Sequence, residues 1–192
     1  MTTEEIEALL AKTGAIQDGH FLLTSGRHSP RYVEKFRLLE NPALTVPLCG
    51  AIAERFRPRA PEVVLGAVTG GVLLSFEIAR QLGIRSIFAE REVGKLVLRR
   101  GFALRAGERV LIVDDILTTG GSVKELLEVA RAANAPVAGV AVLVDRRSDR
   151  NDGLELFSLA QLTIPNWEAA SCPLCREGVP LVKPGSRKIV AA

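Results

Sequence analysis

The sequence predicts an α/β fold in which a central, mostly parallel sheet is flanked by helices. From about residue 63 onward, short apolar runs alternate with amphipathic stretches of helical length, a pattern typical of βαβ units. Glycine-rich and charged segments follow the apolar runs. We therefore expect these segments to lie close together at the edge where the parallel strands end. With 192 residues and 47% apolar content, the chain can bury a core without a disulfide or metal.

Two helices are predicted in the first third of the chain. A helix is expected over Thr2–Lys12, where Thr2 and Glu5 form a capping box. A polar loop follows over Thr24–Arg31. A second helix opens at Asn41-Pro42 and runs to about Phe56, with Pro47 in its first turn or kinking it.

The rest of the chain is predicted to alternate between strands and helices. Expected strands are Val63–Leu65, Ser86–Ala89, Val110–Val113 and Val137–Val144, and expected helices are Gly71–Leu82 and Ser122–Ala133. We interpret the whole chain, 1–192, as a single domain. Its core spans about 41–150, and the segments of about 1–37 and 155–192 form a small hood.

Composition and charge narrow the functional classes. Three cysteines are too few for a secreted disulfide framework, and no apolar run approaches the ~20 residues of a membrane span, so we expect a cytoplasmic protein without a membrane partner. A basic cluster contains a single aromatic residue, Phe102, whereas single-strand binders interleave several. This favours phosphate ligands over nucleic acid. The basic residues of this cluster are Arg91, Lys95, Arg99, Arg100, Arg105 and Arg109.

The strongest motif is a buried strand that ends in two acids and a hydroxyl-rich loop opening a helix. Backbone N–H groups of such a loop, with the positive end of the helix dipole, can hold a phosphate. Paired carboxylates suit the vicinal hydroxyls of a ribose, and for both to reach it the chain must begin turning at Asp114. A capped loop with solvated acids is the alternative. The candidate ligands are Asp114, Asp115, Ile116, Leu117, Thr118, Thr119, Gly120, Gly121 and Ser122.

Two further loops follow predicted strands. Amides of Thr69 and Gly70 could hold a second phosphate group, although a plain glycine-rich turn would also explain this segment. The basic loop from Arg91 to Phe102 has glycines near both ends, as a mobile lid over an anionic site would. A solvated surface loop or hairpin explains it equally well.

The acidic motif, Asp-Asp-x-x-Thr-Thr-Gly-Gly-Ser, resembles the ribose-phosphate loop of type I phosphoribosyltransferases, and the neighbouring loops occur in that family's order. The segment Gly19–Tyr32 is similar to the N-terminal segment of the branch that acts on orotate. The resemblance implies the type I phosphoribosyltransferase fold. It also implies an enzyme of pyrimidine biosynthesis that joins orotate to phosphoribosyl pyrophosphate, with Mg²⁺ carried by the pyrophosphate rather than by a metal site of the protein.

The resemblance also assigns roles to individual residues. Asp114 and Asp115 would bind the ribose, Thr118–Ser122 the 5-phosphate, and Thr69 and Gly70 further phosphate. Lys95 matches the lid lysine and would act with Arg91 on pyrophosphate, in the active site of a partner subunit of a homodimer.

The base pocket is implied in the same way. Arg146, after the last long strand, matches the arginine that pairs with the orotate carboxylate. Orotate would also be bound by Thr118 of the phosphate loop and by Thr24, Ser25 and Gly26 of the matching N-terminal segment. Better-known members carry lysines where this chain has Thr24 and Gly70, and they have a longer, histidine-containing lid.

Three functional interpretations remain as alternatives to an orotate-specific enzyme. A purine phosphoribosyltransferase would keep the phosphate loop and change the base pocket. A non-catalytic regulator sensing phosphoribosyl pyrophosphate would keep the fold without turnover, and a purely structural protein would leave Asp114 and Asp115 unexplained.

The remaining chemical groups carry no predicted function. Cys172 and Cys175 form a single CxxC, for which a turn or a disulfide is expected rather than zinc, because a zinc site needs four ligands. His20 and His28 are expected to be structural or loop residues rather than a catalytic base.

Overall fold

A computed structural model describes residues 3–23, 25–147, 150 and 153–184. Six helices are described: α1 (Thr3–Lys12), α2 (Phe36–Leu39), α3 (Pro42–Phe56), α4 (Gly70–Leu82), α5 (Gly121–Ala132) and α6 (Pro173–Arg176). The strands are β1 (Ile16–Leu22), β2 (His28–Val33), β3 (Val63–Ala67), β4 (Arg85–Glu92), β5 (Lys95–Leu98), β6 (Val110–Leu117), β7 (Val137–Asp145) and β8 (Phe157–Gln161).

Six strands form the central sheet, in the order β5-β4-β3-β6-β7-β8. The pairings β3–β4, β3–β6, β6–β7 and β7–β8 are parallel, and β5 alone runs antiparallel to its neighbour. This confirms the predicted α/β class. Because β3 and β6 are adjacent, the two glycine-containing loops that follow them lie side by side at one edge.

The core lies on both faces of the sheet, because alternate residues of a strand point to opposite sides. In β6, Leu111 and Val113 pack with residues of α3 and α4, whereas Val110 and Ile112 pack with residues of α5. All four are fully buried. The helices therefore cover both faces, and the loops at the strand ends are left for ligands.

The helix predictions are largely confirmed. Helix α3 has Pro42 in its first turn, where a missing N–H is tolerated, and it accommodates Pro47 in its interior. The predicted capping box involves Thr2, which lies outside the described residues. No helix among the described residues is long and apolar enough to cross a bilayer.

The structure differs from the sequence predictions in two places. The polar loop expected over Thr24–Arg31 is shorter, because β2 begins at His28 and pairs antiparallel with β1. Residues 157–161, where no strand was predicted, form β8 and extend the main sheet, because their backbone pairs with β7 and they bury Leu159 and Ala160. The basic loop forms a hairpin, one of the alternatives for this segment, in which β5 pairs with β4.

Candidate active site

The predicted phosphate loop connects β6 to α5. The predicted turn at Asp114 is wrong: β6 continues to Leu117, because β7 pairs with it as far as Asp145. The loop itself is therefore Thr118–Gly120, and Gly120 adopts a left-handed φ of 77° just before the helix. A small cavity above the helix N-terminus is lined by Asp114, Ile116, Leu117, Thr118, Thr119, Gly120, Gly121 and Ser122.

The two adjacent carboxylates have different surroundings. Asp114 lines the phosphate-loop cavity and accepts a hydrogen bond from the N–H of Asp115 at 2.9 Å. Asp115 is 3% exposed, and its Oδ2 lies 2.7 Å from Nζ of Lys35. Burial, together with the neighbouring Asp115 charge, raises the pKa of Asp114 to about 7. The pair thus concentrates acidic groups at a mostly buried position, and Lys35 partly offsets their charge.

The second candidate phosphate loop packs directly against this pair. A Cβ added at Gly70 would lie 1.8 Å from Oδ2 of Asp115, so only glycine leaves room for the carboxylate. The next residue, Gly71, contacts the backbone of Gly66 in β3. A Cβ at Gly66 would lie 2.2 Å from the carbonyl oxygen of Gly71. The glycines therefore allow α4 to approach the sheet closely, which was the alternative explanation for this segment. Thr69 precedes α4 and is exposed.

The predicted lid is a hairpin fastened to α5 by one acidic side chain. Glu125 of α5 accepts hydrogen bonds from the guanidinium of Arg91 at 3.1 Å and from the N–H of Leu96 at 2.7 Å. Lys95, at the start of β5, is exposed and makes no ion pair within the described part of the chain. The hairpin thus presents Lys95 to solvent and holds Arg91 against its own helix.

Arg146 faces a second cavity next to the phosphate loop. Burial lowers the pKa of its guanidinium, and its Nε is buried without a hydrogen-bond partner among the described residues. A buried guanidinium with a free donor is suited to an anionic ligand. The cavity is lined by Leu23, Ser25, Arg27, Thr118, Thr119, Arg146, Arg147, Thr163, Ile164 and Asn166.

The neighbouring ion pair explains why Arg146 remains available. The carboxylate of Asp145 is 1% exposed and is bound by Arg147, whose Nη2 lies 2.9 Å from Oδ2. Arg150 approaches the same oxygen at 3.5 Å. Although burial alone would raise the pKa of Asp145, the positive charges of these two arginines lower it. Within the Asp145-Arg146-Arg147 segment, the ion pair is therefore formed by Arg147.

The tip of the β1–β2 hairpin forms the outer wall of this cavity. Ser25 lines it, and Gly26 adopts a φ of 80° in the turn, with its N–H donating to the carbonyl of Leu23 at 2.9 Å. Arg27 fixes the tip by hydrogen bonds to Asn166 and Glu168. The remaining predicted residue of this segment, Thr24, lies outside the described residues.

Sequence reasoning missed three residues of the site: Lys35, Thr163 and Asn166. Lys35 was not considered because its partner, Asp115, is far along the chain. Thr163 and Asn166, which line the Arg146 cavity, stand in a segment without a motif.

Two wider clefts, one beside Phe157 and one beside Glu108, lie away from the phosphate loop. The strand ends remain the better candidate, because both glycine-containing loops and Arg146 meet there.

Comparisons with known proteins agree with this geometry. A family model described as the phosphoribosyl transferase domain matches residues 37–168. The orotate phosphoribosyltransferase of Desulforamulus reducens is 47% identical over 190 residues, covering 98% of this chain and 100% of that protein.

Solved structures extend the comparison. The orotate phosphoribosyltransferase of Aeropyrum pernix has a TM-score of 0.69 at 28% identity, covering 82% of this chain and 93% of that one. The adenine phosphoribosyl transferase of Trypanosoma brucei has a TM-score of 0.63 at 16% identity, covering 81% of this chain and 79% of that one. The second likeness is one of fold alone.

Proposed function

Because the chain belongs to the phosphoribosyl transferase family, we propose that it transfers the ribose 5-phosphate group of phosphoribosyl pyrophosphate to orotate in pyrimidine biosynthesis. A ring nitrogen of orotate forms a bond to the anomeric carbon as the bond from that carbon to pyrophosphate breaks. The products are orotidine 5-monophosphate and pyrophosphate.

The observation that carries the choice of base is the environment of Arg146. Its guanidinium is largely buried, its Nε has no partner among the described residues, and it shares a cavity with Thr118 of the phosphate loop. A planar, anionic ligand would satisfy this donor, and the carboxylate of orotate has the required shape. The neutral purine bases offer no carboxylate for it.

The phosphorylated sugar would occupy the edge between the two cavities. The loop Thr118–Ser122 would hold the 5-phosphate through backbone N–H groups and hydroxyls at the N-terminus of α5. Although β6 does not turn at Asp114, a ribose between the two loops could meet both carboxylates: Asp114 from the phosphate-loop cavity that it lines, and Asp115 from the side of Gly70. Both would accept hydrogen bonds from ribose hydroxyls, and their negative potential would favour the positive charge that develops on the ribose.

The pyrophosphate group would lie at the second loop, Thr69–Gly70. Gly70 cannot carry a side chain without displacing Asp115, but Nζ of Lys35 lies 2.7 Å from the same carboxylate. Lys35 therefore provides positive charge in the neighbourhood where better-known members carry a lysine.

The donor set fits a magnesium ion bound mainly through the substrate. Mg²⁺ prefers oxygen ligands and commonly combines one or two carboxylates with substrate phosphates. Asp114 and Asp115 lie beside the two phosphate loops, where their negative charge would favour an ion carried by the pyrophosphate, so the proposal needs no metal site of the protein. When bound, the ion would neutralise charge on the departing pyrophosphate.

We extend the proposal to the assembly and the compartment. Lys95 is exposed on a hairpin tied to its own α5, an arrangement that suits a homodimer in which the hairpin acts at the partner's site. Lys95 and Arg91 would then bind the leaving pyrophosphate. The enzyme would work in the cytoplasm, a reducing compartment that suits a chain with only three cysteines.

The Arg146 assignment is tested by comparing bases that differ in the carboxylate. Arg146→Ala should lower kcat/KM for orotate by about 10- to 150-fold, the value of a charge-assisted pair, mainly through a higher KM. Any turnover of uracil, which has no carboxylate, should change little. Arg131→Ala, which removes an exposed arginine of α5 paired with Glu128, is the matched control and should leave both values unchanged. An unchanged KM for orotate in Arg146→Ala would refute the base-pocket assignment.

A further inference from the structure

Four side chains from two distant segments meet beneath the hairpin tip. Nε2 of His20 lies 3.0 Å from Nδ1 of His28. The sulfur of Cys172 lies 3.5 Å from His20 Nε2. The sulfur of Cys175 lies 3.2 Å from His28 Nδ1 and 3.8 Å from His20 Nε2. All four ligand atoms fall within 4.8 Å of one another.

The four shortest of these separations, 3.0–3.8 Å, are close to the edges of a tetrahedral zinc site. Zinc binds imidazole nitrogen at about 2.0–2.1 Å and thiolate sulfur at about 2.3 Å, so its ligand atoms lie roughly 3.3–3.8 Å apart. We propose that His20, His28, Cys172 and Cys175 bind one Zn²⁺ ion in a Cys₂His₂ site. Four protein ligands leave no open position, so the site is structural rather than catalytic.

The surroundings of the cluster support the assignment. Nδ1 of His20 lies 2.7 Å from the carbonyl oxygen of Val179, so it can donate its proton there and leave Nε2 with a lone pair for the metal. His20 is 2% exposed, His28 5% and Cys172 0%, whereas Cys175 is exposed. The site is therefore mostly shielded from water but open on one side for metal entry.

Both cysteines are free thiols, and the CxxC segment forms the first turn of α6. The predicted turn is thus confirmed, and the predicted alternative of a disulfide is not formed. A short helical turn places both sulfurs on the side of the two imidazoles. The sequence did not reveal the other two ligands, because they stand on β1 and β2.

Zinc would fasten the hairpin to the C-terminal segment. Backbone bonds already join them: Trp167 and His28 exchange two, at 2.8 and 2.9 Å, and the N–H of Val182 donates to His20 at 2.8 Å. Ser25 and Arg27 lie between the two histidines in the chain. The metal would therefore fix the hairpin tip that forms the outer wall of the Arg146 cavity. This inference does not depend on which base the enzyme uses.

Metal content tests the proposal directly. The untagged chain, produced with zinc in the medium and purified in reductant without chelator, should contain one zinc per chain by mass spectrometry of metals. Cys175→Ser changes an exposed ligand and so is expected to fold. Because it leaves only three strong ligands, it should retain less than about a tenth of that zinc after dialysis against a chelator. Cys49→Ala, which removes the remaining cysteine, buried in α3, is the control and should keep the full amount.

Cobalt provides a second readout that does not depend on activity. Co²⁺ loaded into the wild-type chain should give the intense visible bands of tetrahedral coordination and a thiolate charge-transfer band, and Cys175→Ser should weaken the latter. Failure of the reduced wild-type chain to take up zinc or cobalt would overturn the proposal. Equal zinc retention by Cys175→Ser, or a Cys172–Cys175 disulfide in protein isolated with a thiol trap, would also overturn it.

Discussion

Gly70→Ala should damage the site through a single added methyl group. The new Cβ would lie 1.8 Å from Oδ2 of Asp115 and 3.1 Å from Cδ1 of Leu39. A normal contact requires about 3.4 Å or more, so the carboxylate must withdraw by roughly 1.5 Å. Since Asp115 is almost fully buried and Lys35 lies 2.7 Å from the same oxygen, this movement breaks an ion pair as well as displacing a substrate ligand.

The size of the effect follows from that displacement. Misplacing a catalytic group by about 1 Å can cost roughly 100-fold in rate, so kcat/KM for phosphoribosyl pyrophosphate should fall by about that factor. Overpacking costs about 1–3 kcal/mol, which corresponds to a decrease in Tm of about 2–12 °C for a chain of this length.

Steady-state kinetics with varied phosphoribosyl pyrophosphate and a thermal unfolding scan measure both quantities. Gly50→Ala is the matched control, because its Cβ would meet Oε1 at the far end of the flexible Gln81 side chain at 3.0 Å, and the other atoms of the Gln81 amide at 3.8 Å. This variant should keep its activity and gain slightly in stability from higher helix propensity. If Gly70→Ala kept kcat/KM within threefold of wild type, the position of Asp115 beside Gly70 would not matter for catalysis.

Three further predictions concern charge at the site and on the hairpin. Asp114→Asn should stabilise the fold by up to a few kcal/mol above pH 7 and not at pH 4, since the raised pKa makes the ionised carboxyl unfavourable in the folded state as pH rises toward about 7. Unfolding scans across that range check the sign, and a gain that is equal at both ends would contradict it. Lys95→Ala should lower kcat by about 100-fold or more while changing the KM for phosphoribosyl pyrophosphate less, because the lysine would act on charge developing at the leaving group; an unchanged rate would show that the hairpin is not a lid. Glu125→Ala should speed hydrogen exchange at the N–H of Leu96, which donates to this carboxylate at 2.7 Å, and an unaltered exchange rate would argue against the fastening of the hairpin to α5.

Local pattern was sufficient for four strands of the central sheet and for the phosphate loop. Buried apolar runs predicted β3, β4, β6 and β7, and glycine with hydroxyl residues predicted the loop before α5. These elements depend on residues close in sequence. The start of the predicted turn at Asp114 was wrong because pairing with β7, which the sequence does not display, keeps β6 extended to Leu117.

The missed elements depend on contacts between distant parts of the chain. Strand β1 contains polar residues at its centre and is defined by its pairing with β2. Lys35 gains its role from Asp115 on the central strand. The cluster of His20, His28 and two cysteines forms only when the hairpin packs against the C-terminal segment. In each case the local residue pattern gives no prediction, because the interacting residues are brought together only in the tertiary structure.

The conversion of orotate, followed by ultraviolet absorbance with phosphoribosyl pyrophosphate and Mg²⁺ present, tests the central claim most directly. Uracil, adenine, hypoxanthine and guanine serve as parallel substrates. We predict rapid loss of orotate and little or no turnover of the other four, because only orotate offers a carboxylate to Arg146. Efficient turnover of a purine would contradict the base-pocket assignment, and tight binding of phosphoribosyl pyrophosphate without turnover of any base would instead indicate a regulator.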